Sequence, residues 1–269
     1  MTDSTVTNGV NPEFRVGEVL SQTFSTYFGN FFKFLAVSFI GYVVIIGGVG
    51  LITGSGLMMS DRSGEISPFV APGQFFLNFL LTMVAAAVIQ ASVTFGAVEH
   101  QAGRSATVLG MIKAGVRSAI PVVLATVVMS VLVFIGSIFL LVPGIIIWLM
   151  LSVTVPAIVS EKLGMADGLK RSQELTTGFK WQVFAAFLVV LIAIWLFQIL
   201  LATVMVGAGA SMLGSNGGSS ILALVVTILS IAMGSLTYGL MGSTVAAVYT
   251  NLRAAKEGTS ADEIAKVFA

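Results

Sequence analysis

Six long apolar runs, each free of charge in its middle and set apart by short polar connections, leave this chain few folds other than a bundle of membrane-crossing helices. Crossing the hydrocarbon layer takes roughly 20 mainly apolar residues in a helix. The runs fall at residues 31–53, 74–98, 118–142, 145–160, 179–206 and 220–249, the fourth reaching Leu163 if Glu161 and Lys162 extend to the headgroups. Hydrophobic residues make up 57% of the chain and charged ones 9%, more apolar than a water-soluble core requires. The expected fold class is all-α: a polytopic membrane protein with six transmembrane helices over residues 14–253. Residues 1–13 read as a disordered cytoplasmic tail, without the basic start and short apolar run of a signal peptide, and residues 254–269 as a C-terminal tail.

Charge placement gives the expected orientation. Of the Lys and Arg residues, only Arg62 falls in a connection on one side of the bundle. The rest lie on the other: Arg15 and Lys33, then Arg104, Lys113 and Arg117, then Lys162, Lys170, Arg171 and Lys180, then Arg253, Lys256 and Lys266. Cytoplasmic loops retain Lys and Arg, so both termini are expected in the cytoplasm and Asp61, Arg62 and Glu65 in an outer loop. Pro143-Gly144 reads as a tight outer turn between spans three and four, and residues 208–219, rich in Gly and Ser, as a flexible outer loop.

Before spans one, three and five the chain repeats one design, an amphipathic stretch followed by a break and an apolar run. In FRVGEVLSQTFSTYFGN the apolar stripe is Val16, Val19, Leu20, Phe24, Tyr27 and Phe28, opposite Arg15, Glu18, Gln22 and Ser25. In SATVLGMIKAGVRSAIP it is Val108, Leu109, Ile112 and Val116, opposite Lys113 and Arg117. The third, MADGLKRSQELTTGFKWQ, ends on Gly178-Phe179-Lys180 much as the first ends on Gly29-Asn30-Phe31-Phe32-Lys33, a glycine closing one helix and a lysine-aromatic pair anchoring the next. Three units of interfacial helix plus two-span hairpin are therefore expected, each surface helix acting as an elbow.

The stretch LVPGIIIWLMLSVTVPAIVSEKLGMADGLKRSQELTTGFKWQVF, with Val142-Pro143-Gly144, Trp148, Pro156-Ala157-Ile158-Val159, Glu161, Gly164, Ser172, Leu175-Thr176 and Gly178, resembles the membrane-domain family named after glycerophosphoryl diester phosphodiesterase and related uncharacterised bacterial inner-membrane proteins. The opening VGEVLSQTFSTYFGNFFKFL resembles that family's first surface helix. The resemblance implies a multi-pass protein of the bacterial inner membrane. It does not imply phosphodiesterase activity, which in such proteins belongs to a separate soluble barrel using histidines, acidic residues and a divalent metal. The motif residues also have direct readings. Pro156 should break the fourth span, Ser152 or Thr154 can satisfy the freed carbonyls, and Glu161 can pair with Lys162 or Arg171.

No span carries an ionisable residue at its centre, so nothing marks an ion pathway or proton relay. Glu99 and His100 read as a solvated helix end. With one histidine and no cysteine the chain offers no catalytic, metal or cofactor constellation, and an enzyme is not expected. Asn78, Gln90 and Gln198 are the notable polar side chains within spans, read first as interhelical hydrogen bonds and second as the lining of a passage. Gly50 and Gly54 on the first span, and Gly234, Gly239 and Gly242 on the last, are candidate helix-packing or subunit-interface positions. Arg104, Lys113, Arg117, Lys170, Arg171 and Lys180 are candidate contacts for anionic headgroups. The expected function is a non-enzymatic accessory subunit, scaffold or membrane-organising factor, whose partners are membrane lipids and either further copies or another membrane protein. Nucleic acid is not an expected partner. The alternative is an uncoupled permease or lipid-handling protein with a groove lined by Asn78, Gln90 or Gln198.

Overall fold

The computed structural model describes residues 14–52, 70–213 and 220–257, and throughout them the chain is helical between short breaks. Ten helices follow one another: α1 Val16–Gly29, α2 Phe31–Ile52, α3 Val70–Gln101, α4 Val108–Arg117, α5 Ala119–Phe139, α6 Leu141–Leu151, α7 Thr154–Glu161, α8 Met165–Thr176, α9 Lys180–Leu213 and α10 Ser220–Glu257. Helices satisfy their backbone groups internally, which the hydrocarbon layer demands. Four described stretches are long and apolar enough to cross a membrane: Phe79–Gln101, Ala119–Ile138, Leu141–Glu161 and Lys180–Ile199. Counting α1 with residues 31–44 of α2 as one bent span, with a 72° bend between its parts, makes five. The expected first and sixth spans coincide with α2 and α10, parts of whose side chains lie outside the described residues, as do Asp61, Arg62, Glu65 and Gly54.

Each elbow turns by a different device. Between α1 and α2 the turn is made by Asn30, whose Nδ2 donates to the Thr26 carbonyl at 3.2 Å, and not by Gly29, which stays within α1. Between α4 and α5 the backbone pivots at Ser118, and Pro121 follows in the first turn of α5, where a missing N–H costs nothing. Between α8 and α9 Gly178 takes φ +94°, a conformation that glycine tolerates best.

Several expectations need correction. Pro143-Gly144 is not the turn between α5 and α6. Leu140 makes it, with extended backbone (φ −167°, ψ 148°), and Pro143 and Gly144 belong to the first turn of α6, where the absent proline donor would have been unpaired anyway. Gly144 is then free to sit against α5, a Cβ on Gly136 falling only 3.2 Å from the Gly144 Cα. Residues 208–213, expected as loop, remain helical within α9. Gly209 among them disfavours a helix in water by about 1 kcal/mol, but a membrane gives the backbone no other partner. At the C-terminal end α10 runs on beyond the expected span, through Glu257.

The surface helices do not bury the whole of their apolar stripes. In α1 the buried residues are Val19, Thr23, Thr26 and Tyr27, while Phe24 and Phe28 are exposed. In α4 Met111 and Gly115 are buried, while Leu109 and Val116 are exposed. Each helix therefore has three faces: one toward the bundle where small or slender positions such as Thr23, Thr26 and Gly115 sit beside Val19, Tyr27 and Met111, one where other bulky apolar residues face outward to lipid, and one that carries the charges. In a bilayer, close van der Waals packing decides which face goes inside. Gly115 illustrates this, since a Cβ there would lie 2.7 Å from the Val88 carbonyl oxygen of α3.

The core lies at the end of the bundle that carries the charges. Val19, Phe34, Val93, Ala97, Met111, Val153, Leu175, Phe187, Val248 and Leu252 meet there, drawn from α1, α2, α3, α4, α8, α9 and α10 and from the break between α6 and α7.

Candidate functional site

Pro156, Glu161, Ser172 and Thr176 build one corner of this end. Pro156 has no N–H for the Ser152 carbonyl, and the helix is broken at Ser152 and Val153, leaving α6 and α7 as two pieces. The Ser152 hydroxyl donates to the Leu149 carbonyl (2.8 Å) and that of Thr154 to the Leu151 carbonyl (2.7 Å). More important is α8, packed across the break. Ser172 donates to the Met150 carbonyl (2.9 Å) and accepts from the Val153 N–H (3.2 Å), and the Thr176 hydroxyl lies 3.2 Å from the same Met150 oxygen. Ser172 and Thr176 are fully buried. Gly168 lets α8 approach, because a Cβ there would run into the Ile158 side chain.

Beside the break an ionic network joins α7, α8 and α10. The Arg171 Nε lies 3.0 and 3.1 Å from the two carboxylate oxygens of Glu161, and its Nη2 meets Glu257. Arg253 Nε donates to Glu257 at 2.7 Å, and the Tyr249 hydroxyl donates to Glu161 at 2.7 Å. Glu161 is thus paired with Arg171, while Lys162 takes φ 54° and closes α7. Burial opposes the charge on Glu257, but hydrogen bonds from Arg253 and Arg171 outweigh it and hold the carboxyl below its usual range. Burial likewise opposes the charge on Arg171, yet its bonds to Glu257 and Glu161 hold the guanidinium above its usual value.

The glycines of α10 face inward against neighbouring helices. Built-in Cβ atoms would lie 2.6 Å from Tyr42 Cζ at Gly234, 2.8 Å from Tyr27 Cε2 at Gly239 and 2.6 Å from Val93 Cγ1 at Gly242. These contacts run to α2, α1 and α3. Gly50 lies on α2 in a stretch whose side chains are outside the described residues.

The basic candidates divide. Arg104 grips Glu99 with Nε and Nη2, both at 2.7 Å, which raises its pKa. Arg171 belongs to the ionic network, and Lys170 stands 4.0 Å from Glu174. Lys113 and Arg117 are exposed, one turn apart on α4, and among the described residues no carboxylate lies within 4.0 Å of either. Lys180 opens α9 and is half-buried.

Among the described residues, three of the concavities lie around this end. A polar cleft of about 410 Å³ between α1, α3 and α10 is lined by Glu18, Gln22, His100, Gln101, Thr250 and Asn251 among others. Across it Asn251 Nδ2 donates to Gln22 Oε1 (2.7 Å), and the Gln101 amide bridges the hydroxyls of Thr26 (3.2 Å) and Thr250 (2.9 Å). The second, about 390 Å³ and almost wholly apolar, opens between α1, α9 and α10, with Phe24, Phe28, Phe197 and Thr237 in its walls. Gln198, exposed, donates to Thr237 at 3.4 Å. The third, about 330 Å³, runs between α2 and α3 up to Ile112 and Val116 of α4.

Gln90 is half-buried on α3, apart from the polar cleft and the groove beside Gln198, and the side chain of Asn78 lies outside the described residues. Sequence reasoning missed Tyr249, Thr250, Asn251, Gln22 and Gln101. Their signal was present as a run of hydrogen-bonding side chains at the ends of α3 and α10, facing a polar stripe of α1. No group of three or more metal-ligating His, Cys, Asp or Glu side chains occurs among the described residues. Compared with known proteins, the chain matches no family model, no curated protein and no solved structure.

Proposed function

We propose that this chain is a non-enzymatic membrane-organising protein that holds lipid in lateral grooves of a six-span bundle. The observation that carries the reading is the apolar groove between α1, α9 and α10, with Thr237, the hydrogen-bond partner of the exposed Gln198, in its wall. A glutamine facing hydrocarbon is expensive unless it has a partner. A hydroxyl on the adjoining helix supplies one, and leaves the pair available to an ester or headgroup oxygen of a lipid lying alongside. The inward-facing glycines of α10 support a packing role for that helix. The association reading, as accessory subunit or oligomer, therefore draws its support from exposed apolar faces such as that of α5.

In this reading the spans comprise three repeats, α1 with α2 and α3, α4 with α5 and the broken α6–α7, and α8 with α9 and α10. The charge distribution supports both termini in the cytoplasm, and the resemblance around Pro156, Glu161 and Ser172 supports a bacterial inner membrane. Native mass spectrometry of the protein, gently extracted from its own membranes, tests the proposal. Retained phospholipid on the chain is expected. A lipid-free oligomer, or a lipid-free complex with another membrane protein, would overturn it in favour of association.

A further inference from the structure

We propose a binding site for one anionic phospholipid between α2, α3 and α4, its acyl chain in the third groove and its phosphate at Lys113 and Arg117. The site rests on the lipid-binding reading but lies on other helices than the groove beside Gln198. Its walls are Ile40 and Val44 of α2, Val84 and Val88 of α3 and, at its upper end, Ile112 and Val116 of α4. Val84 to Ser92 spans roughly 12 Å of helix, enough for the upper half of an acyl chain. Val44, Val84 and Val116 are exposed, so this groove opens onto lipid in a membrane.

What sits at the top of the groove identifies the occupant. Ile112 and Val116 turn toward it, and the next residue along from each is a cation, Lys113 and Arg117. The apolar and basic stripes of α4 are thus adjacent, about 100° apart on the helix. Both cations are exposed and, among the described residues, without a carboxylate partner, unlike Arg104 and Arg171. Gly115 fixes α4 against α3, since any side chain there would strike Ser92 and the Val88 carbonyl, so the two cations are held at a set height above the groove. The α4 N-terminus is secured by Thr107, whose hydroxyl accepts from the Gly110 N–H at 3.1 Å. A zwitterionic lipid would bring its own cation to the two side chains. An anionic lipid leaves both available to its phosphate, with about 1 kcal/mol per near-surface charge as the general scale.

The test uses the full chain in detergent, supplied with phosphatidylglycerol or phosphatidylcholine and read by native mass spectrometry, with Lys113→Gln/Arg117→Gln beside wild type. Both positions are exposed, so the variant should melt as wild type does. Preferential retention of phosphatidylglycerol by wild type, weakened about 30-fold in the double variant and unchanged in Lys170→Gln, is the expected result. Ala85→Phe, which fills the groove wall, should weaken retention with both cations in place. If the double variant holds phosphatidylglycerol as tightly as wild type, the α4 site is wrong while the lipid-binding reading stands. Equal retention of the two lipids by wild type has the same meaning. Displacement of phosphatidylglycerol by excess inorganic phosphate would make α4 a free-anion site and overturn the lipid assignment. Retention of neither lipid would sink this site and the lipid-binding reading together.

Discussion

Two consecutive spans of nearly equal length, Ala119–Ile138 and Leu141–Glu161, are both strongly apolar, yet 17% of the first is buried and 50% of the second. The first is a single helix, α5, whose Val131, Phe134, Ile135 and Ile138 face outward. The second is broken, carries Pro156, and has its freed backbone groups met by Ser172 and Thr176 of α8. In water apolarity marks the interior. In a bilayer it marks the lipid-facing side equally well, and the interior is identified by small residues and by polar groups with partners.

The largest effect should come from removing those partners. Ser172→Val combined with Thr176→Val leaves the Met150 carbonyl and Val153 N–H buried and unpaired, at roughly 1–3 kcal/mol for each group. Thermal or SDS-induced unfolding of the purified variant would show it, and a wild-type transition would mean that α8 does not anchor the break. Next is Gly115→Val. Its Cβ would press on backbone, which cannot rotate away, so a loss of about 1–3 kcal/mol is expected in the same assay.

A smaller effect concerns pH. The Glu257 carboxyl is held below its ordinary value of 4.5 in the folded chain, so its contribution is complete above that value and is lost as pH falls through the depressed one. A melting series should therefore fall off at acid pH, and Glu257→Gln should be less stable by about 1 kcal/mol near neutrality with a flatter acid limb. An unchanged acid limb in that variant would remove the network of Arg171, Arg253 and Glu257 from the account of stability. Smallest of all, Ile135→Leu on the outward face of α5 should stay within about 0.5 kcal/mol of wild type. A larger loss would mean that this face has a protein partner.

The sequence showed the four apolar stretches of α3, α5, α6–α7 and α9, the break caused by Pro156 and a pairing of Glu161 narrowed to Lys162 or Arg171, because each depends on local chemistry or on a charge with few partners to choose from. It did not show which stripe of α1 goes inside. Phe24 and Phe28 are more apolar than Thr23 and Thr26, but packing against α10 selects the slimmer pair. Pro143-Gly144 carried turn chemistry, yet a proline in the first turn of a helix is equally comfortable, and the bend fell on Leu140. The polar cleft was missed because Gln22, Gln101 and Asn251 are far apart along the chain and meet only through tertiary packing.

Oxygen accessibility of spin labels tests the contrast most directly, since the chain has no cysteine and each single-cysteine variant carries one label only. Labels at Val131, Ile135 and Ile138 should be as accessible to oxygen as the bilayer interior allows, and one at Ala157 should be shielded. Equal accessibility along both spans would contradict the division into a lipid-facing α5 and an interior, polar-anchored α6–α7.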